Sequence, residues 1–207
     1  MRICLIGGGE LTSKKLMNLN KRLLNDLENP RILIVQLTSD YVKAKKYRPI
    51  LKKHFENVSS NLVFVDEKSS LKRIKEEIKK SQVIYLPGGN TDFLIQKIKS
   101  FKLINLIKKF KGVLIGISAG AYALSKSYIK IDENSFKKIP SFKITDLTIK
   151  AHYNNSIDSV LLKLSKKEKI YALKDYSAII IEKNKKKIIG EVFLFYKNKK
   201  IRVNKLK

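Results

Sequence analysis

Up to about residue 125, short apolar runs alternate with longer stretches whose apolar positions recur at helical spacing. The runs Arg2–Ile6, Arg31–Leu37, Asn61–Val65, Gln82–Leu86 and Gly112–Ile117 are nearly continuous in Ile, Val and Leu. That is the pattern of parallel strands covered on both faces. Between them the spacing predicts helices over 13–28, 40–55, 69–80 and 91–110. Pro49 lies in the second and brings an expected kink or break. The alternation predicts an α/β fold, a doubly wound, mostly parallel sheet with flanking helices and right-handed crossovers. Ligands of such sheets bind at the carboxyl ends of the strands. Beyond residue 125 the runs become short and β-like, at 143–150, 169–173, 177–182, 187–195 and 200–204. Asn184 and Asn198 suit hairpin turns that need positive φ. The expectation is a β-rich C-terminal extension of the same sheet, with residues 1–207 forming one domain. No linker, internal repeat or low-complexity tract interrupts the chain.

Composition narrows the class. A hydrophobic fraction of 43% over 207 residues is enough for a sizeable core and argues against disorder. No stretch approaches the length of a membrane span, and the apolar run from Met1 to Gly7 is too short for a signal peptide. The single cysteine, Cys4, cannot form an internal disulfide and reads as a small buried strand residue. A cytoplasmic location is expected. Forty-five Lys and Arg against 18 Asp and Glu give a formal net charge of +27. Such a charge favours acidic partners, yet the lysines are spread through nearly every segment among much Ile and Asn, as an AT-rich coding bias would also produce. The densest runs, Lys79-Lys80, Lys166-Lys167 and Lys185-Lys186-Lys187, are expected where helices end or hairpins turn. No specific nucleic-acid or membrane partner is expected, and helix-turn-helix, RNP and GXXG signatures are lacking.

The chemistry centres on Gly116-Ile117-Ser118-Ala119-Gly120, which directly follows an apolar strand. Gly-x-Ser-x-Gly between strand and helix is the nucleophile-elbow pattern, in which a sharp turn lifts the serine hydroxyl out of the sheet. The Ala119 N–H is then a natural oxyanion donor. A serine needs a base, and the chain holds two histidines. His54 lies among lysines and reads as a surface residue. His152 follows a strand-like run and opens a polar loop, on the elbow's side of the sheet. For the orienting acid, Asp175, between two apolar runs, competes with Asp132, Glu133 and Asp146. The turn Pro87-Gly88-Gly89-Asn90-Thr91 follows another strand, and its paired glycines can bring backbone N–H groups close to an anion. Gly7-Gly8-Gly9 follows the first strand but lacks GxGxxG spacing. HExxH, CxxC and Walker A patterns are missing, so neither metal nor organic cofactor is expected.

Taken in order, these segments resemble peptidase family S51, the dipeptidase E and cyanophycinase family, whose fold is related to the class I glutamine amidotransferases. The matching residues are Gly7-Gly8-Gly9, Pro87-Gly88-Gly89-Asn90-Thr91, Gly116 to Ala121, His152-Tyr153 and Leu173 to Glu182. The resemblance implies that Ser118 is nucleophile and His152 general base, with an oxyanion hole from the Gly89 and Ala119 N–H groups. It implies that Gly88, Asn90 and Thr91 bind substrate. Asp175 occupies the place of the family's usual glutamate, one methylene shorter, and Glu133 matches a second acidic position. The implied reaction is hydrolysis of short peptides through an acyl-enzyme, by a monomer or homodimer. Members that favour N-terminal aspartate use a basic residue in the loop after the histidine. Here Asn154 to Asp158 contains no arginine, and Lys163 or Lys166 are the candidates for that role.

Two other classes fit part of the pattern. An α/β-hydrolase esterase shares the elbow, but its order of serine, acid, histidine usually places further strands before the histidine, whereas only 34 residues separate Ser118 from His152 and no later histidine exists. A catalytically silent binding protein of the same fold would have no physical need for serine, histidine and acid together.

Overall fold

The computed structural model describes residues 1–132, 135–183 and 185–204. Along the chain run β1 (Arg2–Ile6), α1 (Lys14–Leu23), β2 (Ile32–Val35), α2 (Tyr41–Phe55), β3 (Leu62–Val65), α3 (Leu71–Lys80) and β4 (Val83–Leu86). Then follow α4 (Thr91–Ser100), α5 (Ile104–Lys109), β5 (Val113–Ile117), α6 (Ala119–Leu124), β6 (Ser127–Asp132), β7 (Ser135–Pro140) and β8 (Thr148–Lys150). The chain continues through α7 (Asp158–Leu164), β9 (Ile170–Leu173), β10 (Ala178–Glu182), β11 (Lys185–Ile189), β12 (Val192–Tyr196) and β13 (Lys199–Arg202). Four helices begin where a side chain accepts a first-turn N–H: Ser13, Asp40, Ser70 and Asn90 cap α1, α2, α3 and α4.

The first sheet has seven strands in the order β11-β10-β1-β5-β4-β2-β3. Five of its strands, β1, β5, β4, β2 and β3, are parallel, and β10 and β11 add in antiparallel pairing beyond β1. Alternate residues enter different cores. Leu5, Leu33, Ile84 and Leu114 pack under α3, α4, α5 and α6, whereas Ile6, Ile34, Tyr85 and Ile115 pack under α1 and α2. This two-sided burial is why the strands read as unbroken apolar runs.

The remaining strands depart from the expected single sheet. Only β10 and β11 extend the first one; β13-β12-β9-β8-β6-β7 form a separate six-stranded sheet. Tyr128, Ile149, Tyr171 and Leu173 join it to the core around α6, and Ile129, Leu161, Ala172 and Phe195 bury its other face with α7. The β6–β7 pair was not predicted, because Ser135–Pro140 offers few apolar positions. The helix expected over 91–110 divides into α4 and α5 at Lys102, whose φ is +52°. Helix α2 runs through Pro49 without a break. Lys185 to Lys187 lie on edge strand β11 rather than in a turn, where lysines discourage pairing with another chain. Asn184 lies outside the described residues; Asn198 has the expected positive φ, at +56°. No described helix is long and apolar enough to cross a membrane.

Candidate active site

Strand β1 ends level with its neighbours: Ile6 pairs with Ile117 of β5 and with Ala178 of β10. The chain segments leaving these strands therefore meet at one point. Three successive carbonyls beyond the β1 core are used there. Ile6 accepts the N–H of Ser118 at 3.0 Å, Gly7 that of His152 at 2.9 Å, and Gly8 that of Tyr176 at 2.9 Å. Residues from the first sheet, from the loop after β8 in the second sheet, and from the β9–β10 connection are so fixed to one short stretch of backbone.

Ser118 stands between β5 and α6 with φ +52° and ψ −109°, the strained turn anticipated for the elbow. The turn closes because Gly120 has no Cβ, which would strike the backbone of Leu86. The Ser118 hydroxyl lies 2.7 Å from Nε2 of His152, and Nδ1 of His152 lies 2.7 Å from Oδ1 of Asp175. Because an ionised carboxylate only accepts, Nδ1–H donates to Asp175 and Nε2 accepts from the Ser118 hydroxyl. His152 has φ +50°, and Tyr176, directly after Asp175, has φ +62°. The shorter aspartate side chain thus reaches the ring.

The glycine run, which lacks GxGxxG spacing, has a steric role here. A Cβ on Gly8, whose φ is +149°, would overlap the His152 ring and the Asp175 carboxylate. A Cβ on Gly9 would meet the ring of Tyr176 at 2.5 Å. These contacts are between segments remote in sequence, so only the pairing of β1 with its neighbours reveals them.

Gly88 lies against the elbow, with its Cβ position 3.5 Å from Cβ of Ser118. Gly89, at φ +138°, follows it, and neither its N–H nor that of Ala119 has an acceptor among the described residues. Asn90 spends its side-chain oxygen on the N–H of Phe93 as the α4 cap, and Thr91 opens that helix. Neither lines the cleft beside Ser118, whereas Gly88 and Gly89 do.

That cleft has a volume of about 520 Å³. Its walls include Thr38 after β2, Glu10 and Leu11 after the glycine run, and Lys43, Tyr47 and Leu51 of α2. No local motif marks the α2 residues as cleft-forming. Lys163 packs over the Phe136 ring, and neither it nor Lys166 lines the cleft. Asp132 ends β6 and Asp146 lines a separate surface depression with Tyr171; among the described residues neither is bonded to His152, and Glu133 lies outside them. Another depression, about 570 Å³, lies against β3 and shares no lining residue with this cleft.

His54 is not on the surface. It is 2% exposed, with Nδ1 2.7 Å from the Leu11 carbonyl and Nε2 2.8 Å from Nδ2 of Asn20. Burial pushes its pKa below the ordinary histidine value, against the smaller opposing pull of the Leu11 carbonyl. A neutral ring donating to Leu11 and accepting from Asn20 meets both contacts. Cys4 is fully buried, as expected, and burial pushes its thiol up to about 12. Among the described residues, no group of three or more His, Cys, Asp or Glu is arranged to hold a metal ion.

The sequence profile of peptidase family S51 matches residues 3–189. An uncharacterized peptidase of Listeria monocytogenes serovar 1/2a (strain EGD-e) is 31% identical in an alignment of 127 residues that covers 54% of this chain and 62% of that relative. The aligned segment therefore spans less than two thirds of the relative's length. Among solved structures, a peptidase from an acI-B1 Actinobacterium superposes with a TM-score of 0.76 at 17% identity, over 100% of this chain and 95% of the other. A candidate peptidase E protein of Listeria monocytogenes EGD-e superposes at 0.69 with 21% identity, over 91% and 97% respectively. At these identities the likeness is one of fold.

Proposed function

The chain belongs to peptidase family S51, and we propose that it is a serine peptidase that hydrolyses short peptides through Ser118, His152 and Asp175. The observation that carries this reading is the unbroken hydrogen-bonded chain from Ser118 Oγ through the His152 ring to Asp175, 2.7 Å at each step.

In this mechanism Ser118 Oγ attacks the scissile carbonyl carbon while its proton passes to His152 Nε2. Asp175 holds the ring in the productive tautomer and stabilises the imidazolium. The carbonyl oxygen, now an oxyanion, is received by the N–H groups of Gly89 and Ala119, which are free of other acceptors among the described residues. Cleavage of the C–N bond sends the electron pair to the leaving amine, which takes the proton back from His152. Water then repeats the sequence on the acyl-enzyme, releasing the acid and restoring the Ser118 hydroxyl. A cleft of about 520 Å³ is of a size for a short peptide rather than a folded chain.

The test is turnover of a dipeptide panel, with and without N-terminal aspartate, by the wild type and Ser118→Ala. Hydrolysis lost in the variant supports the reading. Hydrolysis retained by Ser118→Ala, or a folded wild type inert towards the whole panel, overturns it, the second outcome in favour of a silent binding protein.

A further inference from the structure

We infer, resting on the peptidase reading above, that the cleft receives the free amino end of its peptide, with Glu10 taking the α-ammonium and an apolar first side chain lying against α2. Glu10 directly follows the glycine run that packs on the catalytic side chains: Gly8 on His152 and Asp175, Gly9 on Tyr176. This places Glu10 among the residues that line the cleft together with Ser118 and His152. Asp175 is engaged by His152, so Glu10 is the cleft's available anion. It is exposed and makes neither ion pair nor side-chain hydrogen bond among the described residues, in a chain with 45 basic side chains.

The surplus charge makes that carboxylate consequential. A field of net +27 repels an ammonium group, so an amine-bearing substrate needs a local anion to be held. Much of the remaining lining is apolar: Leu11, Ala44, Tyr47, Ile50 and Leu51 contribute to it, and Tyr47 remains 42% exposed. A large ring facing a cleft rather than the core is the surface an apolar side chain covers with gain. The competing arrangement uses Lys43, an exposed ammonium on the same cleft, to receive an acidic first side chain.

Hydrolysis of leucine p-nitroanilide, its N-acetyl derivative and aspartate p-nitroanilide by the wild type, Glu10→Gln, Glu10→Asp, Lys43→Ala and Ser118→Ala separates these arrangements. The expected wild type prefers leucine to aspartate and the free amine to the acetylated compound. Glu10→Gln raises KM for the free amine about tenfold with kcat little changed, as loss of a charge-assisted contact formed equally in ground and transition states does. The preference for free over acetylated substrate falls by the same factor, and Glu10→Asp restores part of it. If hydrolysis depends on Ser118 but Glu10→Gln leaves that preference unchanged, the inference is overturned and the peptidase reading stands. The same holds if aspartate is preferred and Lys43→Ala removes the preference. Absence of any Ser118-dependent hydrolysis overturns both.

Discussion

Gly8 packs against the imidazole of His152 with no room for a methyl group between them. Replacing its hydrogen must therefore displace the ring or the Asp175 carboxylate bonded to it. Gly8→Ala is expected to lower kcat at least about 100-fold, since displacements of about 1 Å cost that much in positioned catalysis. Gly120→Ala, whose methyl would meet the Leu86 backbone instead, is expected to destabilise the fold. Steady-state kinetics beside thermal melts distinguish the two: Gly8→Ala loses activity while still folded, beyond what any lowering of its melt explains, and Gly120→Ala loses it with its fold.

Asp175 accepts the His152 Nδ1–H at 2.7 Å, close enough that no other carboxylate is needed. Asp175→Asn leaves the shape but favours the wrong tautomer, and kcat should fall by about 10³–10⁴. Asp175→Glu, forced to fold an extra methylene beside Gly8, should fall between the variant and the wild type. A single-turnover assay reads both; an unchanged rate for the asparagine variant would move the role to another acid.

His54 links stability to pH. Its folded pKa lies below the ordinary value of about 6.5 that it regains on unfolding. The unfolded chain therefore takes up the proton first as pH falls. The His54 contribution is complete above the unfolded value and is lost as pH drops from there through the folded value. Melting temperature should fall between pH 7.5 and 5.5, and the fall should be smaller in His54→Gln. An equal fall in both proteins would assign the effect to other groups.

Cys4 is enclosed between β10 and β5, with its thiol pushed up to about 12 by burial. The thiolate that reacts with disulfide reagents is then scarce and out of reach. Thiol titration should give no reaction in native protein and one equivalent in denaturant. Rapid native reaction would mean that β1 opens locally.

The central parallel strands and the Ser118 turn were legible because each rests on a local pattern: an apolar run, and a serine between glycines at its end. The positions of His152 and Asp175 relative to one another were not, for they depend on how two sheets dock. His54 shows a subtler failure. Its neighbours Lys52 and Lys53 gave it a surface appearance, yet helical spacing puts Ala44, Leu51, His54 and Phe55 on one buried face. Strand β7 went unread because an edge strand with two lysines and few apolar residues carries no two-sided apolar signal.

The carbonyls of Ile6, Gly7 and Gly8 hold the amides of Ser118, His152 and Tyr176. All six groups belong to the main chain, so no replacement short of proline at a donor deletes a member of the set. Apart from its glycines, the frame of the site is consequently insulated from drift in side-chain sequence, while its surroundings, such as the α2 wall of the cleft, are free to diverge and retune what is bound. The vulnerable change is one of length: an inserted or deleted residue between Ile6 and Gly8 would break the run of successive carbonyls and put at least one attachment out of register.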